Sequence, residues 1–212
     1  MTALPNLCIH NILNYLDTTL DQLNFLNSCN TLVNIKKLSM IISLDNNNSK
    51  LYFTDSNFYN IINKYNNIKL NIYNYDIPNI ILGNNIIFIK IIYCKFNIEI
   101  LKNVKNIELI KCDHNDLSIL KESNKIIITE CNNIFDISSL KNIPNLFITR
   151  CHNITNINIL NNNILYLLDC NGISNLDYNN ISNNINKIYI ILCKNIKYNN
   201  LLKKCYKNII FF

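Results

Sequence analysis

The sequence of residues 125–160 is KIIITECNNIFDISSLKNIPNLFITRCHNITNINIL, and it contains one structural unit twice. In both copies a cysteine, Cys131 or Cys151, follows two aliphatic residues that stand five and three positions before it. Side chains of a β-strand alternate between its two faces, so this spacing predicts a short strand with one buried face. Aliphatic residues at intervals of three follow each cysteine, which is typical of a short 3₁₀-like return.

The same unit recurs along most of the chain. Six of the nine cysteines follow one another at intervals of 18, 19, 20, 19 and 23 residues. These are Cys94, Cys112, Cys131, Cys151, Cys170 and Cys193. The spacing continues backwards without cysteine, because Leu70 and Ile72 precede Tyr75, and Leu51 and Phe53 precede Ser56. A fixed period of this length predicts a solenoid, here with a parallel sheet of about eight strands.

The strand pattern and the spaced aliphatic residues resemble the leucine-rich repeat, with Ile often in place of Leu, from about Ser49 to Phe212. The resemblance implies an α/β fold, a leucine-rich-repeat solenoid with short irregular or 3₁₀ returns. It also implies that the cysteine at the end of each strand turns inward. Cysteines in consecutive strands would form a ladder about 4.8 Å apart, which does not suit a tetrahedral metal site. We therefore expect structural thiols, no metal and no cofactor.

Residues 1–40 have a different pattern, in which aliphatic residues follow helical spacing. The segment begins with Leu-Pro, and its length and hydrophobic spacing resemble the F-box, a three-helix module of about 40 residues. The resemblance implies binding to the Skp-type adaptor of a cullin–RING ubiquitin ligase. The residues that would make the adaptor contact and the small core behind it are Leu4, Pro5, Ile9, Ile12, Leu13, Leu16 and Leu23.

A second interpretation of residues 1–40 is a plain helical cap, since a solenoid needs its first apolar layer covered. In either case the sequence predicts two parts, a helical module at 1–40 and the solenoid at 41–212. Residues 41–50 are expected to join the two parts through an Asn-rich turn, with Ile41, Ile42 and Leu44 still packed.

Solenoids bind partners along the concave face of the sheet, so the outward strand positions are candidate binding residues. In the predicted register these positions lie four, two and one residues before each cysteine. In the C-terminal half they hold aromatic and aliphatic residues beside the single arginine. The predicted partner site consists of Phe147, Arg150, Tyr166, Leu168, Asp169, Tyr189 and Ile191. Two alternatives stay open: that compositional bias scatters Ile and Tyr along the chain, or that the C-terminal tail covers these strands.

Several function classes are disfavoured by composition. The chain has two glycines, too few for a glycine-rich phosphate loop, and no recurring nucleophile, base and orienting group, so we expect no enzyme and no catalytic residue. The net charge of +6 is spread thinly, which disfavours nucleic acid as a partner. Without a signal peptide or an apolar run long enough for a membrane span, we expect a cytoplasmic protein that does not bind membranes, with reduced thiols.

These patterns together predict a substrate-recruiting F-box subunit of an SCF-type ubiquitin ligase, which would hold an unknown target protein on the repeat sheet. The alternative is a non-catalytic repeat protein that binds or sequesters a partner without any ligase. The excess of Asn, Ile, Lys and Tyr also resembles coding in A+T-rich genomes of large DNA viruses or amoebae, which implies a viral protein in the host cytoplasm.

Overall fold

The computed structural model describes residues 41–158, 160–174 and 185–196, together with the backbone of 209–211. The predicted F-box-like module and its seven adaptor residues lie outside the described residues. Within them, nine strands form one parallel sheet in chain order. The strands are β1 (Ile41–Leu44), β2 (Asn67–Tyr73), β3 (Ile86–Ile92), β4 (Asn106–Ile110), β5 (Lys125–Thr129), β6 (Asn145–Thr149), β7 (Ile164–Leu168), β8 (Lys187–Ile191) and β9 (Ile209–Phe211).

The register of the sheet places equivalent residues of each repeat side by side. One aliphatic column runs through β2 to β8 and consists of Leu70, Ile89, Ile107, Ile126, Leu146, Leu165 and Ile188. All of these side chains are at most 1 % exposed, as is the column two residues further along each strand. The predicted parallel solenoid, with the two aliphatic residues of each repeat in its core, is therefore confirmed.

Short 3₁₀ turns connect several of the strands, at Ile98–Leu101, Ser118–Glu122 and Ser138–Leu140. Each turn is preceded by an Asn or Asp whose side chain accepts a hydrogen bond from the amide two residues later, as Asp136 does from Ser138 at 2.8 Å. Such Asx turns satisfy a backbone donor that the turn leaves unpaired. The predicted 3₁₀ return is thus confirmed after Cys131 and is also present after Cys94 and Cys112, whereas the described residues that follow Cys151 form turns without a 3₁₀ helix. Asn97 shows one structural use of the Asn excess.

The N-terminal end of the solenoid differs from the prediction. Residues expected to form an Asn-rich join are strand β1 and the beginning of helix α1 (Asn46–Thr54), which is followed by helix α2 (Ser56–Ile62). The predicted strand through Leu51 and Phe53 is wrong, although Phe53 is half-buried against the core. Asp45 caps α1 by accepting from the Asn48 amide at 2.8 Å, and helical spacing then buries Ser49 and Tyr52 while Leu51 faces solvent.

Strands β1 and β9 are the two edge strands of the described sheet. At β1, Ile42 and Leu44 are buried as expected, whereas Ile41 is 52 % exposed. At the other end β9 pairs in parallel with β8, so residues 209–211 extend the sheet instead of crossing its face. No helix formed by the described residues is long and apolar enough to cross a membrane.

Candidate functional site

The outward face of the sheet ends, in seven consecutive repeats, on a residue with left-handed backbone. These residues, called the left-handed column below, are Asn74, Tyr93, Lys111, Glu130, Arg150, Asp169 and Leu192, with φ between 48° and 55°. A non-glycine residue pays about 1 kcal/mol or more for this conformation. The break in alternation lets two successive side chains face outward before the next residue turns inward.

Two hydrogen bonds hold this strained position in six of the seven repeats. The amide of Glu130 donates to the Thr149 carbonyl of the neighbouring strand at 2.9 Å, so the sheet ladder continues through the left-handed residue. The same carbonyl accepts the thiol of Cys151 at 3.4 Å. All six repeat cysteines donate in this way to the carbonyl two residues earlier, at 3.2–3.5 Å.

The six thiols are at most 6 % exposed, which confirms that the repeat cysteines turn inward. Burial raises the pKa of Cys151 to about 12. In two adjacent pairs the backbone amide of one cysteine donates to the sulfur of the next, Cys112 to Cys131 at 3.4 Å and Cys170 to Cys193 at 3.3 Å. The pKa of Cys112 is raised by its interaction with the Cys131 thiol and by burial, and the pKa of Cys170 is raised in the same way by Cys193 and by burial. The pKa of the second thiol is lowered in both pairs by its interaction with the first thiol, to about 7 in Cys193.

His114 and His152 follow the repeat cysteines Cys112 and Cys151 in sequence, but the contacts of their rings are with other residues. The ring of His114 packs edge-on against Phe96, with ring centroids 4.3 Å apart, and burial lowers its pKa. Nδ1 of His152 accepts from the Asn171 amide at 3.4 Å. The thiols of Cys112 and Cys151 donate to backbone carbonyls, so each histidine and its cysteine serve separate contacts.

Three aromatic rings lie side by side, tilted against one another, on the outward face of β6, β7 and β8. This aromatic column consists of Phe147, Tyr166 and Tyr189. Ring centroids are 5.9 Å apart in the first pair and 6.1 Å in the second, with interplanar angles of 36° and 41°. All three rings are half-buried. Neighbouring rings of this kind form a large apolar surface that loses little side-chain entropy on contact.

Aliphatic side chains widen this surface. Leu168 and Ile191 are register partners beside the aromatic column and are both half-buried. Leu192, in the left-handed column, is 60 % exposed. A contiguous apolar surface on a sheet face is more informative than scattered exposed aliphatics, because monomeric proteins rarely expose such patches without a partner.

An ion-pair ladder borders the apolar surface along the left-handed column. Glu130 accepts from Lys111 at 3.1 Å and from Arg150 at 3.2 Å, and Arg150 Nε lies 3.8 Å from Asp169. On β3 and β4 the positions equivalent to the aromatic column are charged, with Lys90 and Glu108 paired at 2.9 Å, although the exposed rings of Tyr73 and Tyr93 lie at the ends of β2 and β3. Opposite charges therefore alternate along the ladder, and they neutralise one another.

All seven residues of the predicted partner site lie on this face and in one region, from β6 to the end of β8. Two lysines at the start of the strands were not predicted as part of it. Lys125 Nζ lies 5.0 Å from the centroid of the Phe147 ring, and Lys187 occupies the equivalent outward position in β8. The alternation of the strands, extended one step further back to six residues before each cysteine, would have found both.

In the part of the chain that the structure describes, no three His, Cys, Asp or Glu side chains come together as a metal site would require. Comparisons of the chain with protein-family models, with curated proteins and with solved structures found no match.

Proposed function

We propose that the chain is a protein-binding solenoid that holds a partner on the outward face of β6, β7 and β8. The observation that carries this proposal is the aromatic column, which lies in register over three strands and is continuous with Leu168 and Ile191. Aromatic residues and arginine contribute most to interface energies, and Arg150 borders the same surface.

The proposal is specific to one half of the face. On β3 and β4 the positions equivalent to the aromatic column are Lys90 and Glu108, which bind each other. A partner there would have to displace an ion pair before it could use the apolar side chains beside that pair, such as Tyr73 and Tyr93. At the aromatic column a partner would bury apolar side chains without breaking an ion pair first.

We further propose that this solenoid belongs with the leucine-rich repeats and recruits its partner to a ubiquitin ligase. The strand and inward thiol of each cysteine repeat, with a 3₁₀ return in three of them, support the first point. The Leu-Pro start and helical spacing of residues 1–40 support the second, through their resemblance to an F-box. The mechanism would be proximity: tethering raises the effective concentration of the partner's lysines near the ligase, without chemistry in this chain.

The test of partner binding compares two double variants on the same face. Tyr166→Ala with Tyr189→Ala removes the aromatic column, whereas Tyr73→Ala with Tyr93→Ala removes an edge-to-face pair 6.0 Å apart at the other end of the sheet. Proteins captured by the intact chain from cell extract are identified, purified and titrated against each variant. We expect loss of binding only with the first variant, with both melting temperatures nearly unchanged. Equal binding by both variants would remove the proposal.

The ligase link is tested separately, by co-purification of the intact chain with a Skp-type adaptor. Capture that is lost in Leu4→Ala with Pro5→Ala would support recruitment. Failure of the intact chain to capture the adaptor would leave the second candidate, a repeat protein that sequesters its partner without a ligase.

A further inference from the structure

Basic side chains are spread along the whole chain, whereas acidic side chains become rare after residue 136. Residues 1–136 hold twelve basic and twelve acidic side chains, whereas residues 137–212 hold eight basic side chains and two acidic ones. The whole excess of +6 therefore belongs to the part of the chain that also carries the aromatic column. An asymmetry of this size favours an acidic partner, because long-range attraction speeds and orients encounter.

The local charges have the same sign. Lys125 and Lys187, called the basic flank below, stand on the outward face of β5 and β8, at opposite ends of the aromatic column and on the side away from the ion-pair ladder. Neither lysine forms an ion pair with another described residue. Lys125 instead lies over the Phe147 ring. The ladder on the other side is neutralised internally, so the uncompensated charge beside the column is positive.

We propose that the aromatic column binds an acidic peptide segment, whose apolar side chains pack on the column and whose Asp or Glu residues bind the basic flank. This inference rests on the proposed function and specifies its partner. The basic flank spans three strand spacings, about 14 Å, so in an extended segment crossing the strands the two carboxylates would be about four residues apart. Apolar residues between them would cover Phe147, Tyr166 and Tyr189.

A single-stranded nucleic acid also combines negative charge with surfaces that stack on aromatic rings, but the geometry favours a peptide. Nucleic-acid affinity depends on neutralising many closely spaced phosphates. Near the column the described surface offers two free lysines about 14 Å apart, and Arg150 is bound by Glu130 and Asp169. Leu168 and Ile191 suit aliphatic side chains better than sugars and phosphates.

The experiment selects random displayed peptides of about 12 residues, long enough to cross the four strands, on the purified intact chain. We expect the selected peptides to combine apolar residues with Asp or Glu, and to lose binding to Tyr166→Ala with Tyr189→Ala. Charge reversal of the flank, Lys125→Glu with Lys187→Glu, should weaken them about tenfold or more. The matched control, Lys102→Glu with Lys121→Glu, makes the same charge change on the returns and should bind normally.

Three results would count against parts of this scheme and can be told apart. Peptides that need the two tyrosines but lack acidic residues, and that bind the flank variant as well as the original chain, would overturn the acidic partner and leave the proposed function standing. If no selected peptide depends on the tyrosines, the proposed function itself fails. A uridine oligonucleotide of about 12 nucleotides that binds more tightly than the best peptide, in a tyrosine-dependent manner, would replace the peptide with nucleic acid.

Discussion

Arg150 places its Nη1 3.2 Å from Oε1 of Glu130, and both residues have left-handed backbone at the ends of neighbouring strands. The ion pair therefore joins two strained positions of consecutive repeats. Lys111 reaches the same carboxylate from the repeat before, so Glu130 is the centre of three charged side chains. The two cations hold the pKa of Glu130 below its usual value, Lys111 having the larger effect.

The first prediction concerns the pH dependence of this ion pair. Because the folded carboxyl binds its proton less tightly than the unfolded one, its stabilisation is present above the unfolded pKa of about 4.3 and is lost as the pH falls through the lower folded value. Glu130→Gln should lower the melting temperature by about 1–3 °C at about pH 7 in low salt. At about pH 2 the variant and the original chain should melt together.

The matched control is Glu99→Gln, an exposed carboxylate in a 3₁₀ turn that forms no ion pair with a described residue. Thermal unfolding followed by circular dichroism at both pH values measures the difference. Identical pH profiles for the two variants would mean that the ladder contributes nothing to stability.

The second prediction concerns the cost of the left-handed column. Leu192 has φ 55° and an exposed side chain. The side chain can therefore be replaced with little loss of packing, and the change in stability reports on the left-handed backbone. Leu192→Asn should stabilise the fold by up to about 1 kcal/mol, because asparagine tolerates this region. Leu192→Ile should destabilise it by about 1–2 kcal/mol, since a branched Cβ is strained there.

Urea unfolding measures these changes in the free energy of unfolding. Lys194→Ile, an exposed position two residues later with ordinary φ, controls for the added apolar surface and should be nearly neutral. If isoleucine at 192 were as stable as asparagine, the left-handed backbone would not be a property of this position in solution.

The third prediction compares the two glycines of the chain. A Cβ on Gly172 would collide with the backbone carbonyl of His152 and lie 2.6 Å from that of Ile154, so neighbouring turns would have to separate. A Cβ on Gly83 would meet Oδ1 of Asn85 at 2.6 Å, and that side chain can rotate.

Gly172→Ala should therefore cost about 3 kcal/mol or more, or prevent folding, whereas Gly83→Ala should change stability by about 1 kcal/mol or less. Chemical denaturation of both variants, beside the original chain, makes the comparison. Equal effects would show that the two turns around Gly172 are not as close as described.

Much of the solenoid could be predicted because one residue type recurs at one structural position. A buried cysteine whose single S–H can donate to the carbonyl two residues earlier marks where each strand ends, and the aliphatic pair before it fixes which face is buried. The prediction failed at Leu51 and Phe53, where the same alternation lacks the cysteine. There the cap supplied by Asp45 and the buried Ser49, which donates to the Leu44 carbonyl, favour a helix.

The candidate site was predicted in part for the same reason. Register alone was enough to bring Phe147, Tyr166 and Tyr189 together, since each strand adds one residue to a column. The left-handed backbone was not predicted, although its position contains no isoleucine, valine or threonine in a chain with 42 isoleucines. Contacts that depend on side-chain direction, such as Lys125 over Phe147, cannot be derived from spacing.

The left-handed column also bears on how such a protein can be encoded. Every glycine codon begins with two guanines, so a coding sequence poor in G and C supplies few of the residues that ordinarily make left-handed turns. In this chain Asn74, Glu130 and Leu192 adopt that conformation instead. The turn is stabilised by the hydrogen bond of the residue's own amide to the next strand, as in Asn74 and Glu130, or by that of the following thiol to the carbonyl two residues earlier, as beside Leu192. Duplication of a repeat then copies its own turn with it, and the solenoid can lengthen by gene duplication without acquiring new glycine codons.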